Sequence, residues 1–180
     1  MAEEFQAYWM ALGKFVHRYA LIEATLFQVF RISAGLSTAK TKAVFSGLRV
    51  RDAVSGIKRI HEATGEQLSP SLERAFSKIN EITNIRDRIL HDGFELDENK
   101  MIVSNRHRTI PRASQTNSYS IEDLDALEAD CLTIVACLNV HWIEAKMPKK
   151  FADMLPRERE KSRAPWRYKA RPNRKSQIRP

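Results

Sequence analysis

Residues 3 to 32 keep a single helical period, and this limits the fold more than any other feature of the chain. Phe5, Trp9, Leu12, Val16, Tyr19, Glu23, Leu26, Phe27 and Phe30 recur at the spacing of one helix face. The spacing predicts one long helix with Gly35 as its stop. A helix of that kind needs partners to cover its apolar stripe. The rest of the chain is where they must be found.

Partners follow in order. Ser37 is placed to cap a second helical region over 38–64, which Gly47 and Gly56 divide into two helices, and Gly65 ends it. In "SPSLER", Ser69 is an N-cap, Pro70 takes the first helical position and Glu73 falls in the first turn. This third helix runs to about His91, with Gly93 as its expected left-handed cap. "FELDENKMIVS" alternates about a polar turn and predicts a short hairpin. Residues 105–118 read as a polar loop carrying Arg106, His107, Arg108 and Arg112. Ser120 caps a last helix to about Met147, with Ile121, Leu124, Leu127, Ile134, Val135, Leu138 and Trp142 inward. The expected fold is all-α: an up-and-down helical bundle over 1–150 with a hairpin and loop insertion at about 94–119.

Composition sets outer bounds. With 180 residues, 43% of them hydrophobic, the chain can bury one sizeable core. No unbroken apolar run approaches the roughly 18 residues of a membrane span. The acidic opening "MAEEFQAYW" is unlike a signal peptide, so a cytoplasmic protein is expected. Cys131 and Cys137 fall on one helix about 9 Å apart in rise, too far for a disulfide. Cys131 reads as a small core residue and Cys137 as an outlying thiol. Neither has histidines at metal-ligand spacing, and His17, His61, His107 and His141 sit on separate elements, so no metal or other cofactor is expected. There is no internal repeat and no glycine-rich phosphate loop.

The net charge of +8 has a definite address. Residues 157–180 hold ten Lys and Arg against two acids, leaving the first 156 residues neutral with 20 of each sign. Four prolines, Pro156, Pro165, Pro172 and Pro180, accompany this charge. The composition predicts an extended basic C-terminal tail over 151–180. Such a tail is either a solvated extension, a docking arm for a partner chain, or an arm that follows nucleic-acid phosphates. In the last case Arg163, Arg167, Lys169, Arg171, Arg174 and Lys175 meet the backbone, and Trp166 and Tyr168 stack on bases.

Two residues break the helical pattern. On a wheel of the third helix, Leu72, Ala75, Phe76, Ile79, Ile82, Thr83, Ile89 and Leu90 fill an arc of about 140°. Arg86 falls inside that arc, beside a polar stripe of Asn80, Asn84, Asp87 and His91. A guanidinium in an apolar contact needs a carboxylate partner or a wet cavity. Glu23, inside the apolar stripe of the first helix, is the expected partner. The plainer alternative is a buried ion pair that only sets helix register, with His91 at the helix end meeting the negative end of its dipole. Asp87 and His91 are four residues apart, so a carboxylate–imidazole hydrogen bond can fix the histidine tautomer. Arg86 and His91 are about 140° apart on one helix, so a straight helix does not aim both at one phosphate.

"RDRILH", Arg86 to His91, resembles the R-x(4–6)-H motif of HEPN domains, helical bundles that often act as ribonucleases. The family usually has a polar residue after the arginine, where Asp87 stands, and turn-forming residues after the histidine, as in "HDGF". "LGKFVHRYALIEATLFQVF" is similar to the first helix of many bacterial members. The likeness covers mainly residues 5–32 and 70–94. It implies metal-independent RNA cleavage by 2′-OH attack, with His91 as general acid or base and Arg86 on the scissile phosphate. Asp87 or Asn84 would orient His91. The resemblance further implies a homodimer in which two motifs face one cleft, and a toxin or defence effector with an antitoxin or other protein partner. The opposing expectation is a non-catalytic bundle that binds nucleic acid or a partner, in which the motif is structural.

Overall fold

The structure is a computed structural model, and it describes residues 2–97, 100–104, 116–147 and 149–170. Among them are six helices: α1 (Ala2–Ser33), α2 (Thr38–Phe45), α3 (Val50–Thr64), α4 (Pro70–His91), α5 (Ile121–Lys146) and α6 (Leu155–Ser162). Three strands, β1 (Gly93–Asp97), β2 (Lys100–Ser104) and β3 (Thr116–Tyr119), lie between α4 and α5. The protein is an all-α bundle with a small β-hairpin.

Local chemistry sets most helix ends. Ser37 and Ser69 accept the N–H of Lys40 and Leu72 at 3.4 and 3.3 Å, and Pro70 occupies the first turn of α4. Ser120 and Asp123 form a reciprocal capping box at α5, with bonds of 2.9 and 3.2 Å. Gly65 ends α3 at φ 70°, the left-handed cap that favours glycine. α4 stops otherwise than expected. Asp92 is already extended at φ −92°, ψ 145°, and Gly93 opens β1, so the chain leaves the helix straight into the sheet.

The buried stripe of α1 is Tyr8, Leu12, Phe15, Tyr19, Ile22, Leu26 and Val29, spaced alternately by four and three. That is the seam repeat of packed helices. Phe5 and Trp9, expected on it, are 49% and 47% exposed. α1 carries two apolar stripes side by side, and the one with the regular repeat faces the bundle, leaving Val16 and Phe27 half-buried on its flank. Phe27 finds Phe45 of α2 in an edge contact at 5.3 Å.

α4 runs antiparallel to α5. Ser69 at its start meets His141, and Lys78 midway meets Asp130. Leu72, Phe76, Ile79, Ile82 and Ile89 of α4 close on Leu124, Leu127, Cys131 and Ile134 of α5. Ile85 is also buried, whereas Leu90 is 41% exposed. α5 is long and apolar enough to cross a bilayer, and here it is a central helix of the bundle.

The hairpin pairs Gly93 with Ser104 through to Asp97 with Lys100. β3 adds to the far side of β2, pairing Met101 with Tyr119 and Ser104 with Thr116. The expected loop at 105–118 therefore ends in a strand; residues 105–115, with Arg106, His107, Arg108 and Arg112, lie outside the described residues. Met101, Val103 and Tyr119 turn inward, the period-two placement that seats the sheet on the bundle.

The largest departure from expectation is the C-terminal segment. Residues 155–162 form α6, which packs on α5, and the chain continues along α4 to Ala170. Asp130 of α5, fully buried, accepts the backbone N–H of Arg167 at 2.7 Å and of Tyr168 at 3.1 Å. Arg74 donates to the carbonyls of Ser162 and Ala164 and lies 4.6 Å over the Trp166 ring. The segment through residue 170 is a strap on the bundle, not a free extended tail. Net charge concealed this, because residues 162–168 are held through their backbone, by Asp130, Arg74 and Lys78, and not through their own charges. Cys137 is covered by the strap and is buried, not outlying.

Candidate functional site

The second half of α4 is held against α1 on one side and the head of α3 on the other. Between them lies an open cleft of about 730 Å³. Tyr19 and Glu23 line it from α1, Thr83, Arg86, Asp87 and His91 from α4. The third wall is Leu48 to Asp52, the link into α3 and its first turn. Glu23, Arg86, Asp87 and His91, expected at a site from sequence, therefore share one cleft within a single chain.

Arg86 is explained by its surroundings. Its guanidinium lies 5.3 Å over the ring of Tyr19 and donates from Nη1 to Asp87 Oδ1 at 3.0 Å. The side chain is 29% exposed, so one end reaches the cleft. Its Nε is buried with no hydrogen-bond partner, a cost set against the ring contact and the ion pair. The expected Glu23–Arg86 bridge is not formed. Asp87 on the same helix satisfies the guanidinium, and Glu23 stands exposed on the opposite wall.

Tyr19 is fixed in turn. Its hydroxyl lies 2.9 Å from Thr83 Oγ1, which donates to the carbonyl of Ile79 at 2.7 Å. Thr83 thus spends its hydrogen on Ile79 and accepts from Tyr19. Burial pushes the phenol above its ordinary range, the Thr83 bond partly offsetting it, so the group is a donor at neutral pH.

The polar stripe of α4 is engaged, but not with His91. Arg51, in the first turn of α3, donates from Nη2 to Asn84 Oδ1 and stands 4.0 Å from Asp87 Oδ2. Asp87 therefore sits between two guanidiniums. Among the described residues neither Asn84 nor Asp87 hydrogen-bonds His91, which is exposed in the last turn of α4. The arrangement expected to fix the imidazole tautomer is not the one present, because Arg51 competes for the same acceptors. Arg49 and Arg51 were not singled out from sequence. Their signal is the alternation in "LRVRD" at the head of a helix, which places two cations beside one helix N-terminus.

Three arginines (49, 51 and 86) and three carboxylates (Glu23, Asp52 and Asp87) line the cleft. The charges balance, and His91 stands exposed at its α4 wall. Such a cleft can hold an anion where a guanidinium is released from its carboxylate, and can exchange protons through an exposed imidazole.

The expected nucleic-acid residues are placed differently. Trp166 and Tyr168 are half-buried, with Lys78 Nζ 5.8 and 5.6 Å from their ring centres. They are packed against α4 and do not offer open faces for bases. Arg163, Arg167 and Lys169 are exposed, whereas Arg171, Arg174 and Lys175 lie outside the described residues. Lys78 and Asp87 are nine residues apart, about half a turn around α4, so strap and cleft lie on opposite sides of that helix.

Elsewhere, His61 and His141 bring their rings to 5.8 Å at the far end of the bundle. His141 is held below its ordinary pKa, first by burial and then by His61. Among the described residues no three His, Cys, Asp or Glu side chains are grouped to share a metal ion. No family model, curated protein or solved structure matches the chain at a significant level.

Proposed function

We propose that the protein is an endoribonuclease of HEPN type that cleaves RNA through its own 2′-OH, without a metal. The observation that carries the reading is the shared cleft: Arg86 and His91, 140° apart by helix count, open into the same space because that space wraps around α4. In the proposed reaction the 2′-oxygen attacks the adjacent phosphorus and the P–O5′ bond breaks. The 2′-OH proton passes to a base, and the departing 5′-oxygen takes up a proton. A 2′,3′-cyclic phosphate and a 5′-hydroxyl result. His91 serves as one of the proton-transfer groups, and Arg86 offsets charge on the phosphate oxygens. A homodimer, a cytoplasmic location, and a role as toxin or defence effector with an antitoxin belong to the same proposal.

The test is cleavage of RNA by purified protein in excess EDTA, beside His91→Ala and Arg86→Ala. The reading expects cleavage by the native chain and a loss of at least about 100-fold in each variant, the usual scale for a general acid–base or charge-stabilising group. Cleavage that survives both substitutions, or that disappears with EDTA, rejects it.

One observation favours a second reading, a non-catalytic bundle that binds nucleic acid or a partner. Asn84 and Asp87 are tied to arginines and leave His91 without an orienting acceptor among the described residues. On this reading Arg86→Ala lowers thermal stability, and no phosphodiester chemistry is found at any RNA concentration.

A further inference from the structure

The Asp87 carboxylate occupies an unusual position for a group expected to serve a histidine. Its Oδ1 accepts from Arg86 at 3.0 Å, and its Oδ2 lies 4.0 Å from Arg51 Nη2. One anionic group thus bridges two guanidiniums, from α4 and from α3, at the wall of an open cleft. A phosphodiester presents the same pattern: two oxygens sharing one negative charge, matched by planar N–H forks.

We infer that Arg51 is a second phosphate-holding residue of the cleft, and that Asp87 stands between the arginines where the phosphodiester would bind. The inference rests on the ribonuclease reading and names a binding group that the sequence motif does not contain. Arg51 is suited to it. A guanidinium carries five N–H donors, and Asn84 takes one of them. The side chain is 49% exposed, so a ligand can reach it from the cleft. The Arg51–Asp87 pair is stretched and solvated, and pairs of that kind contribute little, so a phosphate can displace it.

Displacement has a consequence for the histidine. Asp87 and His91 are four apart on α4, the spacing at which a carboxylate reaches an imidazole. Once phosphate oxygens replace it between the arginines, Asp87 is free to accept from His91. Arg51 then acts twice: it binds the substrate, and by exchanging partners it releases the group that positions the imidazole. Asp87 between the arginines is turned away from His91, and the phosphodiester itself engages the pair.

The test uses the full chain and a 2′-O-methyl RNA oligonucleotide, which binds without a 2′-OH to attack. Fluorescence anisotropy gives its affinity over a range of salt. Arg51→Gln should weaken binding about tenfold and reduce the salt slope by about 0.7, the loss of one phosphate contact on a single strand. Arg51→Lys should keep most of the slope. Arg59→Gln, an equal charge change further along α3, should leave both unchanged, and melting curves confirm that each variant is folded at the assay temperature.

The outcomes are separable. If Arg51→Gln binds like the native chain while Arg86→Gln binds weakly, the inference is wrong and the ribonuclease reading stands. If Arg59→Gln costs as much as Arg51→Gln, the effect is net charge and the inference is again wrong. If the native chain neither binds the oligonucleotide nor cleaves RNA, the reading falls and the inference with it. With cleavable RNA, Arg51→Gln should raise KM by about tenfold and change kcat less, because the lost guanidinium is a binding group and Asp87 no longer has to be displaced from it.

Discussion

The carboxylate of Asp130 lies 3.5 Å from the ammonium of Lys78, and the two side chains are 0% and 6% exposed. Each also binds the strap, Asp130 through two backbone N–H groups and Lys78 through the carbonyl of Tyr168 at 3.3 Å. One ion pair between α4 and α5 thereby fixes residues 167 and 168 from both sides. Asp130→Ala should destabilise the protein by about 3 kcal/mol, the lower end for breaking a buried pair, because Glu81 still holds Lys78 at 2.9 Å. Asp130→Asn should recover little, since an amide offers one acceptor and turns a donor toward a donor. Urea unfolding of the three proteins measures this. A cost below about 1 kcal/mol for Asp130→Ala would mean that the strap is not held there.

The strap also seals a thiol. Cys137 is fully buried, its sulfur 3.5 Å from the carbonyl of Ser162. Burial pushes it up to about 11, so little thiolate is present at neutral pH. Burial and the nearby acids Asp130 and Glu128 raise Cys131 further. Trp166→Ala removes the ring under Arg74 and should loosen the strap over Cys137 while leaving Cys131 within the core. Labelling with a thiol reagent at pH 8 should then speed up at least about tenfold at Cys137 and stay slow at Cys131. Equal acceleration at both would indicate loosening of the whole bundle.

What could be read from sequence was what nearby residues decide. The caps at Ser69, Ser120 and Gly65 follow from side-chain and backbone chemistry within four residues, and they lie where the sequence puts them. Which stripe of α1 turns inward was not local: Trp9 and Tyr8 are both large aromatic neighbours, and the packing of α1 on α5 selects Tyr8. Arg86 stood out as a break in pattern, but its partner did not, because Tyr19 and Asp87 satisfy it in place of the more conspicuous Glu23. Arg51 and Asp130 were missed for one reason. Each acts by meeting an element distant in sequence, although Asp130, a charge three residues after Leu127 and four before Ile134, did break the apolar spacing of its helix as Arg86 breaks that of α4.

Tyr19 joins the core to the cleft, and two substitutions separate its roles. Tyr19→Phe keeps a ring beneath Arg86 and removes the 2.9 Å bond to Thr83. It should cost about 1 kcal/mol, a typical buried hydrogen bond. Tyr19→Leu also removes the aromatic face, worth a further 0.5–2 kcal/mol or about that range where a cation is partly desolvated. Arg86 should then move, and any RNA cleavage should fall more in Tyr19→Leu than in Tyr19→Phe. Equal activity in the two would detach the ring contact from function.

His141, at the far end of the bundle, makes stability depend on pH. His141 is held below its ordinary value of 6.5, mainly by burial and next by His61, with Glu144 and Glu66 opposing. A histidine whose pKa is lowered by folding binds its proton more readily in the unfolded chain. Stability is therefore full above the unfolded pKa and declines as pH falls below it, levelling off under the folded pKa. His61 stands against it, 4% exposed, with Ser33 Oγ 3.4 Å from its Nε2 and Glu66 3.8 Å from its Nδ1. The urea midpoint should fall between pH 7.5 and pH 5.5 in the native chain, and fall less in His141→Asn, which cannot be protonated in that interval. The same slope in both proteins would show that other groups, and not His141, set the acid sensitivity of the bundle.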